Sequence, residues 1–242
     1  MLATFDTHLF WEALTSDPYW KGALLALGLT IASLAAAIVI GFLLALGRGS
    51  RHRFVRAFVF FYNWLFRATP TLLQLIFIWY ALPQLWPVFA GSWFTPFEAA
   101  FVTLSLNEAA YMSEIIRSGL LAVDPGQEVA ARALGMSRRQ LLRRVIVPQA
   151  IRIVIPPTGN EFITLLKLTS LASVISLQEL LTASQNLATA NFKYPEAYLA
   201  ALVYYLGIVS VLMVLQGRLE RRYTFTSARR RSPVPAMAHD AR

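Results

Sequence analysis

The chain has 242 residues, of which 57% are hydrophobic and only 14% charged, with a mean hydropathy of +0.52. A soluble domain carries roughly 25% charged residues, so this composition excludes an ordinary soluble fold and fits a helical bundle solvated by lipid. There is no cysteine, and the three histidines, His8, His52 and His239, lie outside the apolar runs, which argues against thiolate chemistry, a buried zinc site or a histidine base.

The elements follow in chain order. Residues 1–21 form an N-terminal segment with no arginine, and its acidic character, with the length of the apolar run after it, argues against a cleaved signal peptide. A bilayer core of about 30 Å needs about 20 apolar residues in a helix. Five segments meet that need: Gly22–Leu46, Phe54–Leu82, Phe97–Leu121, Ile153–Leu177 and Ala197–Gln216. In the second, Pro70 lacks an N–H and disfavours helix at Thr69, so a break is expected there. Between the third and fourth spans, Ala122–Ile151 reads as two short helices. Asp124-Pro125 caps the first and Gly135 stops it; Ser137 caps the second and Pro148 ends it. Residues 218–242 form a basic tail, expected to be disordered beyond Thr226.

The basic residues orient the chain. Eighteen of the nineteen arginines follow the first span, cluster from Arg117 to Arg152 around the connection between the third and fourth, or follow the fifth; the exception is Arg67, inside the second. The predicted fold is therefore all-α and polytopic, with about five transmembrane helices (22–46, 54–82, 97–121, 153–177 and 197–216) making one domain over 22–217. The N-terminus lies outside and the C-terminus in the cytoplasm. Loop anchoring by anionic lipid accounts for the net charge of +9 and removes the need for a nucleic-acid partner.

Ionisable groups at membrane depth are costly and are functional candidates by default. Here they are Glu98, Glu108 and Glu114 in the third span, and Glu161 and Lys167 in the fourth. Asn107, Tyr111 and Glu114 share one helical face, as do Asn160, Thr164 and Lys167. Glu114 and Arg117 have the spacing of an intrahelical pair, and Glu108 and Lys167 are candidate interhelical partners. An integral-membrane enzyme using Glu108, Glu114 and Glu161 would lack any nucleophile–base pair or metal cluster; a passive channel is compatible with composition alone.

Motif spacing separates these classes. Residues 126–148 resemble the signature of the permeases of binding-protein-dependent ABC importers: E-A-A, three residues, G, nine residues, I-x-L-P. The matching positions are Val129, Ala130, Ala131, Gly135, Val145, Val147 and Pro148, with Val129 replacing the glutamate and Glu128 beside it. Arg67-Ala68-Thr69-Pro70-Thr71-Leu72-Leu73-Gln74, Ala110-Tyr111-Met112-Ser113-Glu114-Ile115-Ile116-Arg117 and Gly159-Asn160-Glu161-Phe162 with Leu165-Leu166-Lys167 are similar to motifs of the polar amino-acid and opine branch.

The resemblance implies a multi-pass subunit of a bacterial inner membrane that imports a polar or charged amino acid, or an opine-like derivative, by alternating access. It implies a second permease chain, two cytoplasmic ATPase subunits, and a periplasmic or lipid-anchored binding protein. Coupling to the ATPase falls to Glu128, Val129, Ala130, Ala131, Arg132, Ala133, Leu134 and Gly135. The chain has no G-x-x-x-x-G-K-S/T loop, so ATP and magnesium belong to the partner, and no cofactor or metal is expected on this subunit. The expected substrate residues are Thr69, Pro70, Thr71, Gln74, Asn160, Glu161, Thr164 and Lys167. Glu108, Glu114, Arg117 and Pro148 are assigned structural or gating roles.

Overall fold

The structure is a computed structural model that describes residues 5–228, and every regular element among those residues is a helix. α1 (Thr7–Thr15) is capped by Asp6, whose carboxylate accepts from the Leu9 N–H at 3.1 Å. α2 (Asp17–Arg48) is 32 residues long, about 48 Å at 1.5 Å per residue. α3 (Arg53–Ala68) ends at Thr69, which is extended at φ −109° and ψ 145°. α4 (Thr71–Ile76) continues through a π turn at Phe77–Ala81 into α5 (Leu82–Leu85). α6 (Pro96–Leu121) starts in a capping box of Thr95 and Glu98. The helices of the 122–151 loop are α7 (Pro125–Ala133) and α8 (Arg138–Leu141). A π turn at Leu142–Ile146 leads into α9 (Val147–Leu168), then come α10 (Leu180–Asn191) and α11 (Tyr194–Ala228).

α2 and α11 are each long and apolar enough to cross a membrane, and two bent pairs reach that standard jointly. These are Arg53–Ala68 with Thr71–Leu85, bent by 104°, and Arg138–Ile175 with Leu180–Asn191, bent by 47°. α6 is not among them, although its 26 residues extend about 39 Å; its glutamates lower its hydropathy, Glu108 being buried and Glu114 meeting Arg48 of α2 and Asn63 of α3.

α6 is the hub. Leu29, Leu34, Ala37 and Leu44 of α2 share one buried cluster with Ala99, Ala100, Leu104, Ala109, Met112 and Ile116 of α6. Small residues let the backbones approach, as in membrane helix pairs generally. At Gly41 a Cβ would lie 2.8 Å from the Met112 Cβ and 3.0 Å from the Ser113 nitrogen. A second cluster joins Ala13, Tyr19, Ala23, Leu180, Ala183, Ala200 and Ala201. There the Tyr19 hydroxyl donates to the Ala197 carbonyl at 2.9 Å, and the Tyr204 hydroxyl to the Leu14 carbonyl at 2.7 Å.

Two helices lie outside the five predicted spans, α1 in the N-terminal segment and α10 between the fourth and fifth, both too short to register as apolar runs. Three expectations need correction. Glu98 closes a capping box at the start of α6 and is not a mid-span charge. Pro148 does not end the second loop helix: it lies in the first turn of α9, where its missing N–H costs nothing, and the chain stays helical from Arg138. The last helix runs on past Gln216 to Ala228, so the 218–242 tail begins as helix; the disorder expected after Thr226 otherwise falls outside the described residues.

Candidate functional site

The break at Thr69-Pro70 leaves the carbonyls of the last turn of α3 without helical partners. Three side chains take them up. Gln74 donates through Nε2 to the Phe66 carbonyl at 3.0 Å, the Thr69 carbonyl at 3.2 Å and Thr69 Oγ1 at 2.7 Å. Asn107, buried on α6, donates to the Phe66 carbonyl and to Gln74 Oε1, both at 3.0 Å. Thr69 Oγ1 in turn donates to the Leu65 carbonyl at 2.8 Å. Backbone carbonyls in hydrocarbon must find such partners. The kink is therefore a braced device, and Gln74 serves as its brace. Ahead of it the rod of residues 71–85 begins at Thr71, half-buried, with its first amides free of intrahelical bonds.

On α9, Asn160, Thr164 and Lys167 are exposed along one stripe and Glu161 is half-buried beside them. Asn160 lies 3.4 Å from Glu220 Oε1 of α11, and Gln216 donates to the Pro156 carbonyl at 2.6 Å. These α11 contacts have no sequence signal, because Gln216 and Glu220 lie at the edge of an apolar run. α9 packs on α6, where Glu108 is only 2% exposed and its Oε1 has no hydrogen-bond partner among the described residues. The structure does not bring Glu108 and Lys167 into an ion pair.

Glu114 is the centre of a second polar group. It receives Arg48 at 3.4 Å, Arg117 at 3.8 Å and Asn63 Nδ2 at 3.2 Å. Beside it opens a cavity of about 390 Å³, lined by Arg48, Asn63, Trp64, Arg67, Tyr111 and Glu114 among others. The Arg67 guanidinium lies over the Tyr111 ring, 5.5 Å from its centroid. Sequence reading placed Arg67 alone within a span; the 104° bend instead sets it beside Arg48, the last residue of α2. Asn63 and Trp64 went unread because only the three-dimensional turn of α3 shows which of its polar residues face inward.

The 122–151 loop is rigid for identifiable reasons. Asp124 Oδ1 accepts from the Gly126 N–H at 2.7 Å and caps α7. At its other end Gly135 is left-handed at φ +73°. Gly135 N–H donates to the Arg132 carbonyl at 2.9 Å and Met136 N–H to the Ala131 carbonyl at 3.1 Å, the two bonds of a Schellman cap. Arg132 pairs with Glu128 at 2.6 Å. Ala131 is buried and Gln149 donates to Gln127 at 3.3 Å, tying α7 to the start of α9. Val129 and Leu134, by contrast, are 69% and 77% exposed. Ala130, Arg132 and Ala133 are exposed too.

The family of binding-protein-dependent transport system inner membrane components matches residues 37–225. The arginine transport system permease protein ArgU of Corynebacterium glutamicum is 41% identical over 236 residues, covering 93% of this chain and 73% of that protein. The glutamine transport system permease protein GlnP of Escherichia coli is 36% identical over 218 residues, covering 90% and 97%. A crystal structure of an amino acid ABC transporter superposes with a TM-score of 0.81 at 32% identity, covering 92% of this chain and 100% of that one.

Proposed function

This chain belongs to the family of binding-protein-dependent transport system inner membrane components, and from that premise we propose that it forms one half of the pore of an ATP-driven importer of a polar or charged amino acid, or an opine-like derivative. It is a transport subunit and not an enzyme; in importers of this kind the ATPase is a separate partner. The observation that carries the mechanism is the doubly capped α7, which presents Val129 and Leu134 to solvent while Ala131 is buried and Gln127 meets Gln149 of α9. A short rigid helix with apolar exposed residues is suited to docking in a cleft of the ATPase, so that nucleotide-driven motion reaches α9 through the continuous helical path from Arg138. ATP and magnesium are then held by that partner. Two permease chains, two ATPase subunits and an external binding protein complete the assembly, with the chain in a bacterial inner membrane, residues 1–21 outside and α7 in the cytoplasm.

Within the pore, the start of the rod at Thr71 supplies the positive end of a half-helix, a suitable seat for an α-carboxylate. Thr69, Pro70 and Thr71 shape that seat and Gln74 braces it. Glu161 and Asn160 face the substrate's amino or side-chain group, with Thr164 and Lys167 along the same stripe. Glu108, Glu114 and Arg117 hold α6 in register around it. Glu161→Gln should impair uptake by the reconstituted complex while leaving ATPase assembly intact. Unchanged uptake kinetics would reject the role of Glu161.

A further inference from the structure

The cavity between α2, α3 and α6 is cationic, and apart from Glu114 its lining takes no part in the mechanism above. Its one carboxylate, Glu114, is already shared by Arg48 and Arg117 and accepts from Asn63. Arg67 is exposed, stacked on Tyr111, and has no carboxylate within ion-pair distance among the described residues. The cavity thus has an uncompensated positive charge at its mouth. On α3, Phe54, Phe58, Phe61 and Leu65 recur at spacings of four, three and four and are all exposed, Phe54 by 77%. Phe60 and Trp64, also exposed, carry that apolar surface to the cavity rim. Arg51, Arg53 and Arg56 stand at the start of the same helix. An apolar stripe beside clustered arginines is the pattern of a helix lying in the membrane interface, and basic pockets between membrane helices on the cytoplasmic side bind anionic headgroups.

We propose that this cavity is a binding site for an anionic phospholipid of the cytoplasmic leaflet. Arg67 and Arg48 receive the phosphodiester, Trp64 and Tyr111 frame it, and the exposed phenylalanines of α3 run alongside the acyl chains. The assignment rests on the cytoplasmic placement of Arg48, as proposed above, which is checked separately. Because the chain has no cysteine, a single cysteine at Ser50 reports by membrane-impermeant labelling which side that end of α2 occupies.

The test uses the assembled transporter in nanodiscs of phosphatidylcholine doped with phosphatidylglycerol, with the retained lipid quantified by native mass spectrometry. Arg67→Gln should lower phosphatidylglycerol retention about fivefold, the contribution of one arginine near an anionic surface. Arg67→Lys should restore most of it, and phosphatidylcholine retention should not change. Excess inorganic phosphate or free amino acid should fail to displace the lipid. Two results overturn the proposal: equal phosphatidylglycerol retention by Arg67→Gln, or displacement by inorganic phosphate or an amino acid, which marks a small-anion site. External labelling of the Ser50 position would sink the orientation instead, and the lipid data are then read on the outer leaflet.

Discussion

Individual side chains here satisfy backbone that the membrane does not. Asn107 is the clearest instance, since it holds both the Phe66 carbonyl and Gln74 Oε1. Asn107→Leu keeps the volume and leaves Gln74 Oε1 without its donor, whereas the Phe66 carbonyl keeps Gln74 Nε2. An orphaned buried acceptor costs about 1–3 kcal/mol, so the purified protein should melt at lower temperature, with the loss greatest for the second span in hydrogen exchange. Glu179 plays a comparable part in the connection before α10. It is fully buried at the start of α10, accepts from the Leu181 and Thr182 amides at 2.9 and 2.8 Å, and receives the Tyr205 hydroxyl at 3.2 Å. Burial pushes its carboxyl above the usual range, more than those donors pull it down. A raised folded value means the native state binds the proton more tightly than the unfolded chain. Stability is therefore greater in acid and falls as pH rises from the ordinary carboxylate range through the raised native value. Thermal melts of the wild type should show that decline, and Glu179→Gln should flatten it; equal slopes in the two proteins would contradict it.

At the scale of the element, legibility followed the type of constraint. The break at Pro70 and the caps of α7 were readable because proline, an N-cap aspartate and a left-handed glycine act on the backbone locally. α1 and α10 were not, because a hydropathy window registers only long apolar runs and these helices are short and anchored by tertiary contacts such as Tyr204 to Leu14. The neighbours of Arg67 were not readable, because Pro70 marks a break without giving its angle, and it is the 104° bend that accompanies the placement of Arg67 with Arg48 at one cavity. Among the candidate site residues, the stripe of Asn160, Thr164 and Lys167 was readable from helical spacing. The engagement of Gln74 with the Thr69 carbonyl required a bend angle that no spacing encodes. α7 itself yields a prediction. Leu134 is 77% exposed, so Leu134→Asp removes apolar surface without opening a cavity. The variant should keep the wild-type melting temperature and lose copurification of the ATPase. Undiminished copurification would place the docking contact elsewhere.

At the scale of the whole molecule, α6 ties the helices together: α2 packs along it, α3 and the 71–85 rod lean on it at the kink, and α9 joins it to the 122–151 loop. That arrangement puts a braced half-helix, a carboxylate-bearing stripe and the doubly capped α7 on one connected body. The central claim is that this body moves an amino acid only when a motor acts through α7. Its most direct measurement is uptake of labelled amino acid by proteoliposomes holding the permease, its ATPase and its binding protein, with ATP supplied on the ATPase side. Uptake against a gradient that rises in step with ATP hydrolysis, both abolished by Leu134→Asp, is the predicted result. Flux that runs only down the gradient, and is indifferent to ATP, would contradict it.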